Sequence, residues 1–384
     1  MSTPARHRRG ALAAILVGAL FLSACAGGGG QASDDDAVPA STEAADEAAA
    51  DGGVEEAAAA DGTCAPDEIT LIGQVRNQTN PYEAAWLEGG DAFAESVGLE
   101  QQKLTYDGDS QRQQEQIRQA LAGGDLECTV LNVLPNGDAD TAPIVVAADQ
   151  AGAWLVTQWN KPAELDPADY ERWVAHITYD GVESGYLIAQ AMIEAMGGSG
   201  GIVALQGVLD AVAAQDRFAG LQRALEENPD VTLLDDQTAN FDRAQALDVT
   251  RTLLTAHGDE IKGIWAANDD MALGALQALE AAGRDDVAVV GIDAVPEAIQ
   301  AIQEGRMTAT VSSDGPWQGG VGLAMGYCAA TGELDLASVE HRAFFAEQFL
   351  IDESNAADFA DPQLDLAEFE CGNVFDRATG PVSP

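Results

Sequence analysis

Polar and aromatic side chains recur just after several short apolar runs of this sequence, and their types suit the binding of a polyhydroxy molecule. Amide, carboxylate and guanidinium groups can each make several hydrogen bonds to hydroxyls, which donate and accept at once. Aromatic rings pack on the apolar C–H faces of such a molecule, and a cleft that combines both features is typical of a small-molecule site. The candidate residues are Asn80, Tyr82, Gln158, Trp159, Asn160, Arg217, Phe241, Asn268 and Asp293.

The stretch GIWAANDDMALGAL (263–276) shows where such a residue would be placed. An apolar run ends at Ala267, three polar residues follow (268–270), and a helical pattern of small residues begins at once. In an open α/β sheet this position lies outside the carboxyl end of a strand, where ligands bind. The alternative needs no ligand, because an aspartate here could simply cap the helix and contribute about 0.5–2 kcal/mol. The other candidates have similar structural alternatives as turn, core or surface residues.

The elements that would position these residues alternate between β-rich and helical runs. Strands are predicted at 69–75, 100–106, 129–134, 153–159, 201–206, 231–238, 261–266, 287–292 and 308–313. Helical patterns lie between them, at 83–97, 110–122, 182–196, 243–256 and 271–282. Repeated βα units predict doubly wound parallel sheets. About 320 residues exceed one comfortable core, so two lobes are expected, with a break near 176–181.

The first 62 residues are expected to lie outside the fold. Three arginines (6, 8 and 9) precede an apolar run at 11–22 that is typical of a secretory signal. The following Leu22-Ser23-Ala24-Cys25 resembles the lipobox of bacterial lipoproteins, which implies a lipidated Cys25 as the first mature residue and an anchor on the outer face of the cell membrane. The alternative is an ordinary signal peptide with a chance cysteine. Segment 26–62 is rich in Gly, Ala, Asp and Glu, which predicts a disordered acidic tether.

The net charge and the cysteines of the chain limit the classes of binding partner, metal site and disulfide that can be expected. The net charge of −46 argues against nucleic acid or an anionic lipid surface as a partner. Four cysteines follow Cys25 without a CxxC spacing and far from any histidine cluster, so no metal site is expected. An even number of cysteines in an exported protein favours disulfides, and four cysteines allow three pairings. We predict the pairs Cys64–Cys128, both just before apolar strands, and Cys328–Cys371, which would fix the C-terminal tail.

From about residue 69 to 351 the chain resembles the periplasmic sugar-binding proteins of the ribose- and galactose-binding type, the solute receptors of ABC importers. The stretches that carry the resemblance are LQGVLDAVAAQDRFAGLQRAL, NFDRAQALDVTRTLLTAHGDEIKGIWAANDDMALGALQAL and VAVVGIDAVPEAIQAIQEGRMTATV. The resemblance implies a type I periplasmic binding protein fold, in which two similar α/β lobes are joined by three hinge crossovers and one sugar binds in the cleft. It implies neither enzymatic activity nor a cofactor.

The resemblance also implies roles for individual residues. Asn80 and Tyr82 match a hydroxyl partner and a stacking ring of the first lobe. Arg217 matches the arginine that binds ring and hydroxyl oxygens, and Phe241 matches the aromatic wall of the second lobe. Asn268 matches an amide partner.

The remaining matched acid is Asp293, which corresponds to a carboxylate that accepts hydrogen bonds from sugar hydroxyls. Asp269 and Asp270 are then interpreted as structural, one of them as the cap of the following helix.

The sequence departs from ribose receptors at the sugar-facing positions. Gln158, Trp159 and Asn160 stand where those receptors carry an Asp-Arg pair, and Ser313 beside Asp314 stands where they carry a hinge glutamine. A longer loop after the first strand places Arg76 near the mouth of the cleft. These differences make ribose itself doubtful and leave an aldohexose, a pentose, a polyol or an inositol-like ring open. Arg76, Ser313 and Asp314 are therefore secondary candidates for ligand contact.

The predicted organisation assigns five parts to the chain. These are a signal peptide (1–24), a lipidated tether (25–62), an N-terminal lobe (63–178 plus 314–340), a C-terminal lobe (179–313 plus 341–354) and a tail (355–384).

Three functions were compared. The first is a monomeric lipoprotein that delivers a sugar or polyol to an ABC permease, and the second is a sugar-sensing module that signals to a membrane kinase or chemoreceptor. The third is a secreted glycosidase, which the sequence disfavours because no HExxH motif occurs and the acidic residues are spread along the whole chain, with no pair singled out.

Overall fold

The computed structural model describes residues 64–382. The predicted signal peptide, the lipidation at Cys25 and the tether at 25–62 lie outside the described residues. None of the helices within 64–382 is long and apolar enough to cross a membrane.

Residues 64–382 form strands and helices in regular alternation over most of their length. The strands are β1 (Thr70–Val75), β2 (Gln101–Thr105), β3 (Thr129–Val133), β4 (Trp154–Gln158), β5 (Trp173–Thr178), β6 (Gly200–Gln206), β7 (Val231–Thr238), β8 (Ile261–Ala266), β9 (Ala288–Asp293), β10 (Ala309–Ser312), β11 (Ala343–Ala346), β12 (Leu350–Asp352) and β13 (Ala378–Pro381). The α-helices are α1 (Pro81–Ser96), α2 (Ser110–Ala120), α3 (Asp138–Ala151), α4 (Gly181–Ala195), α5 (Val212–Glu227), α6 (Arg243–His257), α7 (Asp269–Ala282), α8 (Pro296–Gln303) and α9 (Gly315–Ala330).

The strands form two sheets, which confirms the predicted pair of α/β lobes. The first sheet has the order β13-β11-β5-β4-β3-β1-β2, and the second has the order β12-β10-β9-β8-β6-β7. Their central strands are parallel and almost wholly buried, as expected for sheets covered by helices on both faces. Both sheets are mixed, because β13 and β12 run antiparallel at their edges.

The chain passes between the two sheets three times. It leaves the first sheet after β5 at residues 179–180, which coincides with the break predicted near 176–181. It returns through residues 313–314 between β10 and α9, a helix that packs on α1 and on the first sheet. It crosses again through residues 347–349 between β11 and β12. Three short crossings between two lobes are what the resemblance implied.

One boundary prediction is wrong. Segment 341–354 was assigned whole to the C-terminal lobe, but β11 (Ala343–Ala346) pairs in parallel with β5 of the first sheet. Only the part after this strand, with β12 on β10, lies in the second sheet. The tail contributes a strand that was not predicted, because β13 pairs with β11.

Both predicted disulfides are present in the structure. Cys64 is bonded to Cys128, and Cys328 of α9 is bonded to Cys371 of the tail. The second bond attaches the tail to the buried helix α9, close to the aromatic contact between Phe93 and Phe369.

Several helices begin at an Asn or Asp whose side chain accepts backbone N–H groups of the first turn. The caps are Asn80 for α1, Asp109 for α2, Asp180 for α4, Asp242 for α6, Asn268 for α7 and Asp314 for α9. Such residues satisfy donors that a helix start otherwise leaves without a partner. They also place polar side chains at the carboxyl ends of the strands.

Close contact between α4 and α5 fixes the helix that carries Arg217. A Cβ atom at Gly185 would lie 1.9 Å from the carbonyl oxygen of Arg217, and one at Gly220 would lie 2.2 Å from that of Val182. Only glycine allows this approach, so the two helices pack backbone against backbone. The start of α5 is thereby held beside the cleft.

Candidate functional site

A cavity lies between the carboxyl ends of the two sheets. The space between its protein atoms is about 530 Å³, including the part open to solvent. The lining residues are Arg76, Asn80, Tyr82, Glu83, Tyr106, Leu134, Pro135, Trp159, Asn160, Ala213, Arg217, Phe241, Asn268 and Asp293.

The structure brings most of the sequence-predicted residues together at this cavity. Eight of the nine main candidates line it, and so does the secondary candidate Arg76. Gln158, Ser313 and Asp314 do not.

Arg217 and Asp293 form the charged centre of the cavity. Arg217 donates from Nη1 to the carbonyl oxygen of Ala267 at 2.7 Å, and its Nη2 lies 3.9 Å from Asp293 Oδ1. Its buried Nε has no hydrogen-bond partner within residues 64–382. A buried donor without a partner is costly, so a ligand oxygen at this position would be stabilising.

Burial perturbs both charged groups. Loss of solvent lowers the pKa of the Arg217 guanidinium, an effect that the Asp293 charge opposes. Burial raises the pKa of Asp293 well above its ordinary value, although Arg217 acts in the other direction. The second cause of elevation is the nearby Asp269 carboxyl. A hydroxyl-bearing ligand would restore polar contacts to both members of the pair.

Aromatic rings enclose the Arg217 guanidinium. Its central carbon lies 4.6 Å from the ring centre of Trp159 and 5.9 Å from that of Phe241. Trp159 belongs to the first lobe and Phe241 to the second, so the two rings approach the cavity from opposite sides. Such surfaces can pack on the C–H faces of a polyhydroxy ligand while the guanidinium binds its oxygens.

Three cavity residues have backbone conformations that side chains rarely adopt. The φ angles are 67° at Trp159, 58° at Phe241 and 133° at Asp293. Positive φ in a bulky residue costs roughly 1–3 kcal/mol and clusters at functional sites. All three of these side chains line the cavity.

The Tyr82 hydroxyl is used within the protein. It accepts from Trp159 Nε1 at 2.9 Å and donates to Gln318 Oε1, and burial raises its pKa well above the ordinary value. The ring of Tyr82 meets that of Trp159 edge to face, with centres 5.9 Å apart. Tyr82 therefore offers the cavity its ring, and the stacking role that the resemblance implied stays a prediction.

The stretch at 268–270 is organised differently from the prediction. Asn268, and neither aspartate, is the cap of α7, because its Oδ1 accepts from Met271 N at 3.1 Å. Asp269 accepts from Thr310 Oγ1 at 2.8 Å and from a backbone N–H of the β9–α8 loop. Asp270 accepts from Arg243 Nε at 2.7 Å. The two acids are structural as expected, but the amide both caps the helix and lines the cavity.

Gln158 is a core residue, which corrects its assignment to the ligand site. It lies within β4, and its side chain is fully buried. Its Oε1 accepts from Trp86 Nε1 at 2.6 Å, while its Nε2 donates to Asn132 Oδ1 and to the carbonyl oxygen of Gln318. All of its polar atoms are therefore satisfied away from the cavity.

The two hinge candidates also lie outside the cavity. Asp314 caps α9 by accepting from Trp317 N at 3.1 Å and pairs with Arg377 of the tail at 2.8 Å. Ser313 is buried, and its hydroxyl has no partner within residues 64–382. Both positions are structural parts of the second crossing.

Sequence reasoning missed two polar residues of the cavity, Glu83 and Tyr106. Glu83 accepts from Asn77 N at 2.7 Å, and burial raises its pKa from 4.5 to about 7 while the Arg76 charge lowers it. Tyr106 donates to the carbonyl oxygen of Leu134 at 3.0 Å. The position of Glu83 directly after Tyr82 was the available signal, because the first turn of α1 faces the cleft.

Several cavity residues join the two lobes directly. Arg76 donates from Nη1 to the carbonyl oxygen of Asn240 at 3.0 Å, and Asn80 donates from Nδ2 to that of Phe241 at 3.3 Å. The structure is therefore a closed form of the cleft.

Comparison of the sequence with models of known protein families shows the family to which the chain belongs. The family model described as periplasmic binding protein domain matches residues 75–334. The chain belongs to this family and is of the ribose-binding type. Proteins of the family are exported solute-binding proteins and not enzymes, which confirms the predicted class.

Individual relatives support the same assignment. The chain is 30% identical to the xylitol-binding protein of Mycolicibacterium smegmatis over 71% of this chain and 76% of the relative. It is 30% identical to the ribose import binding protein of Escherichia coli over 65% of this chain and 79% of the relative. Its fold is similar to the crystal structure of a twin-arginine translocation pathway signal protein from Burkholderia phytofirmans, with a TM-score of 0.79, 39% identity, and coverage of 83% and 99% of the two chains.

Proposed function

We propose that this protein captures one neutral monosaccharide or polyol between its lobes and delivers it to an ABC permease. The observation that carries the proposal is the buried Arg217–Asp293 pair between the rings of Trp159 and Phe241. Hydrogen-bonding groups at the centre and flat apolar rings at the sides match a molecule with hydroxyl edges and C–H faces.

The central polar pair of the cavity suits a neutral ligand with hydroxyl groups. The Arg217 guanidinium can donate to ligand oxygens, and burial raises the pKa of the Asp293 carboxyl, which can accept or donate according to its protonation state. A hydroxyl group matches both partners, because it can accept from the guanidinium and either donate to or accept from the carboxyl.

The ligand-contacting residues in this proposal are the eight that line the cavity together with Arg76. Relatives bind solutes of this chemical class, since one is a xylitol-binding protein and another a ribose import binding protein. A solute-binding protein from Bacillus halodurans, 25% identical with a TM-score of 0.66, contains myo-inositol. Ligand capture would proceed by hinge closure at the three crossings, the motion for which periplasmic binding proteins are a standard example.

The proposal also includes the place and state of the protein. A monomer would be held on the outer face of the membrane by lipidated Cys25, with segment 26–62 as the tether. The lobes would comprise 63–178, 314–340 and β11 on one side, and 179–313 and 347–354 on the other. A Cys25→Ser variant should appear in the medium, whereas the unchanged protein should fractionate with membranes.

A ligand screen tests the proposal directly. Purified protein is titrated calorimetrically with xylitol, D-ribose, D-allose, L-arabinose and myo-inositol, with sucrose as an oversized control. We expect a dissociation constant of roughly micromolar, about −8 kcal/mol, for at least one of the small ligands and none for sucrose. Absence of binding to all of them, or tighter binding of a charged solute such as glutamate, would refute the proposal.

A further inference from the structure

Helix α5 begins at the cleft without a cap of its own. Its N-cap residue is Ala211, whose side chain cannot accept a hydrogen bond. Helices α4 and α6 of the same lobe start at Asp180 and Asp242, which both cap the first turn. Alanine is among the poorest N-cap residues, because it leaves the first N–H groups without acceptors.

The missing acceptors come from the other lobe. Asp138 Oδ1 accepts from Val212 N at 3.1 Å, and Asn160 Oδ1 accepts from Ala213 N at 3.5 Å. Val212 and Ala213 are the first two residues of α5, whereas Asp138 and Asn160 belong to the first lobe. Asp138 thus caps a helix from which it is separated by 74 positions in sequence.

The contact is reciprocal and joins two helix starts. Asp138 is also the first residue of α3, and its own N–H donates to the carbonyl oxygen of Asp210 at 3.4 Å. The amino ends of α3 and α5 therefore meet across the cleft. Each amino end carries a partial positive charge, so their approach is unfavourable unless a negative group lies between them. The Asp138 carboxylate supplies that group.

We propose that Asp138 is a positioning residue for ligand capture, which caps α5 only when the lobes are closed. Opening of the hinge separates Asp138 from Val212, because the two residues belong to different lobes. Closure restores the cap and fixes the start of the helix that presents Arg217 to the cavity. Asp138 does not line the cavity, so it would act on affinity without touching the ligand.

The size of the effect follows from the value of an N-cap. A cap of this type contributes about 1 kcal/mol, and 1.4 kcal/mol is a factor of ten in an equilibrium constant. Loss of the cap should therefore weaken ligand binding about fivefold. The loss should appear as faster dissociation, since the closed complex alone contains the contact and related complexes differ mostly in dissociation rate.

The ligand arm of the test uses full-length Asp138→Ala, Asp138→Asn and Asp109→Ala, with xylitol, D-ribose and myo-inositol as probes. Asp138→Ala should raise the dissociation constant and the dissociation rate about fivefold. Asp138→Asn keeps an acceptor oxygen and should stay within twofold of the original protein. Asp109→Ala removes a cap that lies wholly within the first lobe, so it should lower the melting temperature and leave the dissociation constant unchanged. An unchanged dissociation rate in Asp138→Ala would overturn the inference.

This arm rests on the proposed function, so a second measurement separates the two ideas. Amide hydrogen exchange is followed by mass spectrometry in a peptide that covers residues 210–217, both without ligand and with any probe that binds. Because the cap exists only in the closed form, Asp138→Ala should at least double the exchange rate of this peptide when a bound probe holds the lobes closed, and should raise it without ligand in proportion to the closed fraction. Asp138→Asn and Asp109→Ala should not raise it. If no probe binds but the exchange rate rises, the proposed ligand class is wrong and the cross-lobe cap stands. Equal exchange in Asp138→Ala and the original protein with a saturating probe, or without ligand if no probe binds, would refute the cap.

Discussion

Replacement of Arg217 by alanine tests the centre of the site. Arg217 is 4% exposed and makes one hydrogen bond to the Ala267 carbonyl oxygen, and it lies 3.9 Å from Asp293. Two charges at about 4 Å attract each other by about 4 kcal/mol at an effective dielectric constant of 20. Without the guanidinium, the pKa of Asp293 would rise further, so the ligand would lose a donor and would meet a carboxyl group that is more readily protonated.

The expected loss of affinity is large. Truncation of one partner of a buried charge pair costs about 2–5 kcal/mol, which corresponds to a dissociation constant roughly 30- to 5000-fold higher. Isothermal titration calorimetry with the best ligand of the screen measures this change. The ligand-free protein should remain folded, because α5 keeps its contacts with α4.

Arg223 offers a matched control on the same helix. Its side chain is 46% exposed and pairs with Glu183 on the surface of α4, away from the cavity. Arg223→Ala should change the affinity by less than about 0.5 kcal/mol, since exposed ion pairs contribute little. Equal losses in the two variants would mean that net charge, and not the buried pair, governs binding. An unchanged affinity in Arg217→Ala would remove this residue from the site.

Three further predictions concern other parts of the structure. Phe241→Ala should weaken binding by about 1–3 kcal/mol in calorimetry with little change in melting temperature, because its half-buried ring covers the cavity; a large drop in melting temperature would make it a core residue. Burial raises the pKa of Glu83 to about 7, so its contribution to stability is present below about pH 4.5 and is lost as the pH rises toward 7. The free energy of unfolding of Glu83→Gln, measured with urea, should therefore rise by about 3 kcal/mol relative to that of the original protein between pH 4.5 and 8. Parallel pH profiles of the two proteins would contradict this. Cys371→Ser should lower the free energy of unfolding by about 2–4 kcal/mol in the same assay, because it removes the disulfide that attaches the tail to α9. An unchanged free energy of unfolding would mean that the other contacts of the tail suffice to hold it in place.

Much of the fold could be predicted because it depends on local patterns. Most parallel strands contain short apolar runs, so nine strands were predicted, together with five of the helices. Strand β5 (Trp173–Thr178) was missed because it is followed by the first hinge, so the helix after it belongs to the other lobe. Strands β11, β12 and β13 are only three or four residues long and exist through pairing with distant segments, which no local pattern encodes.

The errors within the site have a geometric origin. Successive side chains of a strand point to opposite faces, so the neighbours Gln158 and Trp159 could not share one role. Gln158 ends β4 on the face toward α9, and the positive φ of Trp159 turns the next side chain into the cavity. The capping role of Asn268 was equally inaccessible to sequence, since asparagine and aspartate are similarly good N-caps. The cross-lobe contact of Asp138 could not be predicted from the sequence either, because it depends on how the two lobes lie relative to each other.

The strand formed by the tail affects how copies of this protein behave at high concentration. Without β13, the edge of β11 would present unpaired backbone groups, which serve as a template for strand addition between molecules. In the structure β13 is the edge strand instead, and it includes Gly380 and Pro381. Proline has no backbone N–H and cannot donate a hydrogen bond to an incoming strand. Removal of the last ten residues would therefore favour aggregation of an otherwise well-folded protein.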